Sequence, residues 1–476
     1  MSCCKENACT QSSQHVLIIG TGSAAFAAAI EIVENGGRAT LIEAAEQIGG
    51  TCVNVGCVPS KILIRQAQLN HWRRHTPFDG LPACEAEGDR RVLIAQLKAR
   101  VDELRHAKYE KMLDTYPGIK VVHGHARFLT ADTLVVEKPD GSRQQLRGDG
   151  VLIATGSRPH IPEVEGLAAT PYWTSTEALF SEETPPRMIV LGAGVVALEL
   201  AQAYQRLGTQ VTLLARRGLL TNQPAEVGDT LRQALKAEGM NILTRTQPQR
   251  VEHAGGIFQV QTPAGVLQAE RLLVATGRQP NTDVLALEQV GVRIDSRGQI
   301  VVDEQLRTSV PGVWAAGDCT QLPKFVYVAA ASGRIAASAM RGGCETLDLS
   351  VLPQVVFTDP QVATVGLSED EAQAQGIKAI SRRLPLDQVP RALANFETTG
   401  FVQLVAEAGS MKLLGAQIVA PEAGEMIEAV AIALRKGLRV QDLAGELMAY
   451  LTWNEALKLC AQTFFKDVNK LSCCAG

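Results

Sequence analysis

Two segments share one order of strand, glycine turn, helix and strand. A similar strand returns after each, and alternating strands with amphipathic helices take over late in the chain. These observations predict an α/β fold with two Rossmann-like nucleotide-binding domains, followed by an α+β domain. Length agrees, because 476 residues at roughly 150 per domain make about three domains, too much for one core. Hydrophobic residues are 46% and aromatics 4%, with 42 Gly, which suits a large core of small aliphatic side chains and tight turns. A net charge of −4, from 46 basic and 50 acidic residues, gives nucleic acid no global support. The apolar stretch from Val16 to Ile30 contains Gly20 and Gly22 and ends at Glu31, short of the ~18 apolar residues of a membrane helix. The first residues lack the basic start and apolar run of an export signal, so a soluble cytoplasmic protein is expected.

The first repeat runs from His15 to Ile19, turns through Gly20-Thr-Gly22-Ser-Ala-Ala25, continues as an Ala-rich helix to about Asn35, and ends with a strand from Arg38 to Glu43. The second runs from Met188 to Leu191, turns through Gly192-Ala-Gly194-Val-Val-Ala197, continues as a helix through Leu207, and ends with Gln210 to Ala215. The first glycine of each permits the turn, and the second lets the backbone approach a pyrophosphate at the helix start. The small third residue, Ala25 or Ala197, lets helix pack on strand. A carboxylate ending the second strand would accept hydrogen bonds from a ribose and repel a 2′-phosphate. Glu43 lies 23 residues after Gly20, whereas the same count from Gly192 reaches Ala215, followed by Arg216 and Arg217. Guanidinium forks suit phosphate. The first unit is therefore read as holding an adenosine ribose and the second as preferring NADPH to NADH; the alternative is that the two arginines are solvated loop charges.

Val151-Leu-Ile-Ala-Thr-Gly156 and Leu272-Leu-Val-Ala-Thr-Gly277 read as the returning strands. A further strand from Gly312 places Asp318 at its end, where it could bind a sugar hydroxyl, and a helix from Val326 to about Arg341 follows, so the first domain resumes after the second is inserted. From Val351 the pattern becomes α+β, with strands near 354, 400 and 412 and helices from Glu422 to Lys436 and from about Asn454. Between Leu63 and Tyr116 the chain reads as mostly helical, with a loop from Pro77 to Gly88.

The most specific stretch is Gly49-Gly50-Thr51-Cys52-Val-Asn-Val-Gly56-Cys57-Val-Pro59-Ser60-Lys61. Two Cys five positions apart are one residue beyond a helical turn, close enough to pair if Gly56 and Pro59 distort the helix start. A redox disulfide is one reading. A zinc half-site is the other, but the spacing is wrong for it and none of the remaining cysteines completes a matching pair.

On these residues the chain resembles the pyridine nucleotide-disulfide oxidoreductase family from about residue 14 to the end. The resemblance implies a Cys-containing tail over 1–13 and an FAD-binding domain over 14–165 that resumes over 283–348. It also implies an NADPH-binding domain over 166–282 and a dimerisation domain over 349–476. Residues implied for FAD are Gly20, Gly22, Ala25, Glu43, Gly50, Thr51, Lys61, Ala126, Gly156, Asp318 and Val326; for NADPH they are Gly192, Gly194, Ala197, Arg216, Arg217 and Gly277. Cys57 would meet the flavin and Cys52 the substrate. Lys61 would approach flavin N5 and pair with Glu199, its charge stabilising reduced flavin and lowering the thiol pKa. A solvated Lys61 is the alternative.

Disulfide-reducing branches of the family place a proton-shuttling His-Pro-Thr, with a Glu beyond it, in the last domain. Here the stretch is Tyr450-Leu451-Thr452-Trp-Asn-Glu455, and the last histidine of the chain is His253. A phenol with pKa near ~10 cannot shuttle protons at neutral pH. Tyr450 and the tail Cys473-Cys474 resemble the Hg(II)-reducing branch instead. The tail thiols would capture a soft metal, arriving as a thiolate complex, and pass it to Cys52 and Cys57 across a homodimer. A frayed tail with incidental cysteines is the bland reading. Two rivals are an FAD reductase of another thiol or disulfide substrate that uses the tail as shuttle, and a soft-metal-binding flavoprotein without turnover. The segment before Gly20 reads as too short for the N-terminal Cys-x-x-Cys domain of many relatives, and Cys3, Cys4 and Cys9 would be a reduced substitute, a metal-scavenging tail or inert. Val195 stands where some relatives carry a Tyr.

Overall fold

The computed structural model describes residues 14–84 and 88–467. The described residues divide into two compact units, one of 14–59, 95–160 and 278–347, the other of 60–84, 88–94, 161–277 and 348–467.

The first unit is built on a five-stranded sheet, all of whose pairs are parallel, in the order Val313–Ala315, Gly150–Ile153, His15–Ile19, Arg38–Glu43, Ile119–His123. The central strand is fully buried from Val16 to Ile18, as a continuous apolar run in a sheet covered on both faces must be. Helices Ser23–Glu34 and Val326–Met340 cover one face, over Val16, Ile18, Leu41 and Leu152. An antiparallel meander of His125–Thr130, Thr133–Glu137 and Arg143–Arg147 covers the other, through Phe128, Leu134 and Val136.

The second unit contains a four-stranded parallel sheet, Asn241–Thr244, Gln210–Ala215, Arg187–Leu191 and Arg271–Val274 in spatial order. It carries its own meander of Arg250–Ala254, Ile257–Thr262 and Gly265–Ala269. The same unit holds a five-stranded antiparallel sheet in the order Gln354–Val356, Gln361–Gly366, Leu413–Ala420, Phe401–Glu407, Ala379–Pro385. Helices Ala423–Arg435 and Glu455–Gln462 pack on it through Met426, Ile427, Leu457 and Cys460. No described helix is long and apolar enough to cross a membrane.

Both returning strands pair with the first strand of their repeat. Gly20 has φ +114°, and a Cβ there would lie 2.4 Å from the Ala154 carbonyl oxygen; Gly192 has φ +126° and would meet Ala275 O at 2.2 Å. Each turn glycine thus lies against the Ala-Thr-Gly end of its returning strand, where any side chain would collide with backbone. Helices Ser23–Glu34 and Val326–Met340 cross at Gly333, where a Cβ would come 2.1 Å from Ala24 O. Backbone cannot yield there as a flexible side chain can. Gly333→Ala is therefore expected to cost about 1–3 kcal/mol and lower the thermal midpoint; an unchanged melt would mean that the two helices separate freely.

Candidate active site

The cysteines lie at a helix break. Helix Gly50–Val55 carries Cys52 and ends at Gly56 (φ −133°, ψ −110°), and helix Cys57–Arg74 starts immediately after. The break sits at Gly56 alone. Pro59 lies in the first turn of the new helix, where its missing N–H costs nothing and it causes no kink. Cys52 is half-buried and Cys57 exposed.

Entry into the first of these helices is fixed by one hydroxyl. Thr21 Oγ1 donates to Glu43 Oε2 at 2.5 Å and accepts from Gly49 N at 3.1 Å, joining the glycine turn, the end of the second strand and the cysteine segment. Glu43 Oε1 accepts from Ala45 N at 2.9 Å. Asn54 Nδ2 donates to the carbonyls of Ile48 and Gly50, and Arg105 Nη1 donates to Gln47 Oε1 at 2.8 Å and Asn54 Oδ1 at 3.3 Å. Tyr109 stands edge-on to Phe26, ring centroids 5.0 Å apart, on a π-turn over His106–Glu110. Burial raises its pKa, nearby Cys52 and Cys57 add to the rise, and Ser23 opposes it.

Gly156 (φ +67°) ends the returning strand, and the next residue, Ser157, donates from Oγ to Asp318 Oδ2 at 2.8 Å. Arg278 Nε donates to Ser157 Oγ at 2.7 Å. Burial lowers the Arg278 pKa, opposed by the charges of Asp318 and Cys57. Ala126 is buried in the meander and pairs with Val136, while Val326 opens helix Val326–Met340.

In the second unit, Lys61 Nζ donates to Glu199 Oε2 at 2.8 Å, with Lys61 37% exposed and Glu199 4%. Phe357 N–H donates to Glu199 Oε1 at 2.9 Å, and the Phe357 ring centroid lies 4.5 Å from Lys61 Nζ. Arg216 and Arg217 are exposed, and Gly277 has φ +135°. Tyr450, 52% exposed, precedes Leu451 (φ +58°) in a turn tied by Leu451 N–H to Glu455 Oε2 at 3.1 Å and by Thr452 Oγ1 to Ala449 O at 2.8 Å. Cys473, Cys474, Cys3, Cys4 and Cys9 lie outside the described residues.

Sequence reasoning missed Arg105, Tyr109, Ser157, Arg278 and Phe357. A π-turn has no sequence pattern to find. Arg278 does follow directly on Gly277, and that adjacency was a usable signal.

Both glycine turns fit a dinucleotide. Helices Ser23–Glu34 and Val195–Arg206 start at Gly22 and Gly194, neither of which contributes a side-chain cap, and no acid occupies either first turn, so the helix starts are suited to an anion. A Cβ at Gly50 would stand 2.6 Å from Gly22 Cα, so only glycine lets these two loops meet, while a Cβ at Gly194 would meet nothing within 4 Å, leaving room for a ligand.

Repeated nucleotide cradles, a cysteine pair at a helix break and a buried carboxylate holding a lysine define a nucleotide-dependent redox protein. The chain belongs to the pyridine nucleotide-disulphide oxidoreductase family, which residues 14–333 match, and residues 352–461 match that family's dimerisation domain. Its relatives include the mercuric reductase of Shewanella putrefaciens, 54% identical over 100% of this chain and 86% of that protein. Those of Acidithiobacillus ferrooxidans (54%, covering 97% and 84%) and Staphylococcus aureus (42%, covering 97% and 84%) are similar too. Among solved structures, the HOCl-induced flavoprotein disulfide reductase RclA of Escherichia coli superposes with a TM-score of 0.85 at 28% identity, over 95% of this chain and 100% of that one.

Burial pushes the Cys319 thiol up to about 11 and the Cys460 thiol up to about 12. Because the thiolate is the nucleophile, both are expected to resist alkylation of the folded, reduced enzyme at mildly alkaline pH while exposed Cys57 and Cys344 react. Peptide mass spectrometry reads the outcome, with full labelling of Cys319 and Cys460 in denaturant as the reference.

Proposed function

We propose that this protein reduces Hg(II) to Hg(0) with electrons from NADPH, through FAD and the Cys52–Cys57 pair, as a homodimer whose active site both subunits share. Its parts are an FAD-binding domain over 14–165 and 283–348, an NADPH-binding domain over 166–282 and a dimerisation domain from 349. The observation that carries the choice of substrate is Tyr450, a half-exposed phenol in a turn held by Glu455, with no histidine after His253 in the chain. Reduction of a disulfide to two thiols needs a proton donor near neutral pH, and reduction of a metal ion does not. The similarity to mercuric reductases points the same way.

When bound, FAD supplies the chemistry that links a hydride donor to a thiol pair. The helix start after Gly20 and Gly22 would hold its pyrophosphate, Glu43 and Asp318 would take hydroxyl groups, and Gly50, Thr51, Ala126, Gly156 and Val326 would complete the cradle. Gly192, Gly194, Ala197 and Gly277 would do the same for NADPH, and Arg216 and Arg217 would take its 2′-phosphate. Lys61 favours anionic neighbours, the Cys57 thiolate among them. Cys473 and Cys474 of the partner subunit capture Hg(II) and hand it, thiolate for thiolate, to Cys52 and Cys57. With Cys52 and Cys57 already reduced to thiolates, two further electrons from NADPH would convert the bound ion to a neutral atom, for which thiolates have no affinity, and it would leave.

With excess small thiol, NADPH oxidation is expected with Hg(II) but not with oxidised glutathione or lipoamide, together with mercury vapour. Turnover on a disulfide without vapour would keep the family and overturn the reading of Tyr450.

A further inference from the structure

Helix Val195–Arg206 presents Glu199, Gln202 and Arg206 to one short segment, Phe357–Asp359. Glu199 accepts the Phe357 N–H at 2.9 Å, Gln202 Oε1 accepts the Asp359 N–H at 2.8 Å, and Gln202 Nε2 donates to the Asp359 carbonyl at 2.7 Å. Arg206 Nη1 reaches Asp359 Oδ2 at 2.9 Å. The helix side chains thus read the segment's backbone much as a neighbouring strand would. Gln202 also donates to Glu238 Oε1 at 2.9 Å and is 4% exposed, so both of its N–H donors are used. A cavity of about 240 Å³ opens alongside, lined by Lys61, Arg65, Gln68, Glu199, Gln202 and Phe357 among others. The segment lines this cavity, and the helix side chains fix its backbone there through these hydrogen bonds.

The fixed segment serves Lys61. Its Phe357 N–H takes one oxygen of Glu199 and turns the other toward the ammonium, while the Phe357 ring offers its face to the same charge. We propose that Gln202 is a positioning residue for the reaction, clamping the Phe357–Asp359 segment so that Glu199 and the Phe357 ring hold Lys61 in place. This rests on the reading that Lys61 is the cation of the redox site.

The test compares Gln202→Met with Gln205→Met in the holoenzyme. Gln205 lies on the same helix and makes comparable bonds, to Glu238 O and from Val211 N, away from the segment. Reductive methylation of Lys61, followed by mass spectrometry, is expected to run about fivefold or more faster in Q202M, since loss of even one of the two Gln202 hydrogen bonds to the segment gives that population change, and at the parent rate in Q205M. The turnover number should fall in Q202M with the KM for NADPH unchanged. If Q202M does not fold, Q202N, which keeps an amide but withdraws it by a methylene, takes its place. Equal labelling in parent and Q202 variant, equal acceleration by Q205M, or an unchanged turnover number would each overturn the proposal. Absence of Hg(II) turnover in the parent enzyme would instead overturn the proposed reaction and leave the labelling result standing.

Discussion

The Glu199 carboxylate is the constraint on which the second unit's chemistry turns. A charge at 4% exposure survives only if its partners replace water, and it has two: the Lys61 ammonium and the Phe357 N–H. Each partner comes from a distant stretch of chain, one from the helix that opens with Cys57 and one from the start of the C-terminal domain. The pair does not need to add stability to matter. Removing Lys61 would leave Glu199 an uncompensated buried charge, so the geometry of all three segments is held to whatever keeps Lys61 in reach.

A second constraint is steric and acts twice. In each nucleotide unit a left-handed glycine rests against the carbonyl at the end of the returning strand, so the turn cannot open without moving the sheet. This explains why Val151–Gly156 and Leu272–Gly277 look alike: both strand ends do the same job beside the same kind of turn. The helix starts after Gly22 and Gly194 are thereby presented at a fixed height above their sheets, as an anion-binding terminus requires.

Much of this was legible because it is local. Buried parallel strands leave continuous apolar runs, glycine turns leave fixed spacings, and the helix break at Gly56 sits between two cysteines that already suggested a distortion. Pairing of Lys61 with Glu199 was legible only through the family resemblance. The two meanders were missed, since strands such as Arg143–Arg147 are short and polar on their outer side, and only their pairing defines them. Phe357 and Gln202 were missed for a related reason: they act through a backbone contact between residues more than 150 positions apart, which no window of sequence displays.

We propose that the Glu199-held lysine makes the Cys57 thiol, on the same helix, ionise easily. Lys61 follows Cys57 by four positions on one helix. The most direct measurement is the pH at which the long-wavelength charge-transfer absorbance between thiolate and flavin appears in two-electron-reduced enzyme, compared between parent and Glu199→Gln. The account predicts a midpoint higher by about one unit in the variant, as expected when a nearby cation is no longer held in place. An unchanged midpoint with the band at full strength would contradict it, and would leave the Lys61–Glu199 pair a structural contact with no part in the redox chemistry.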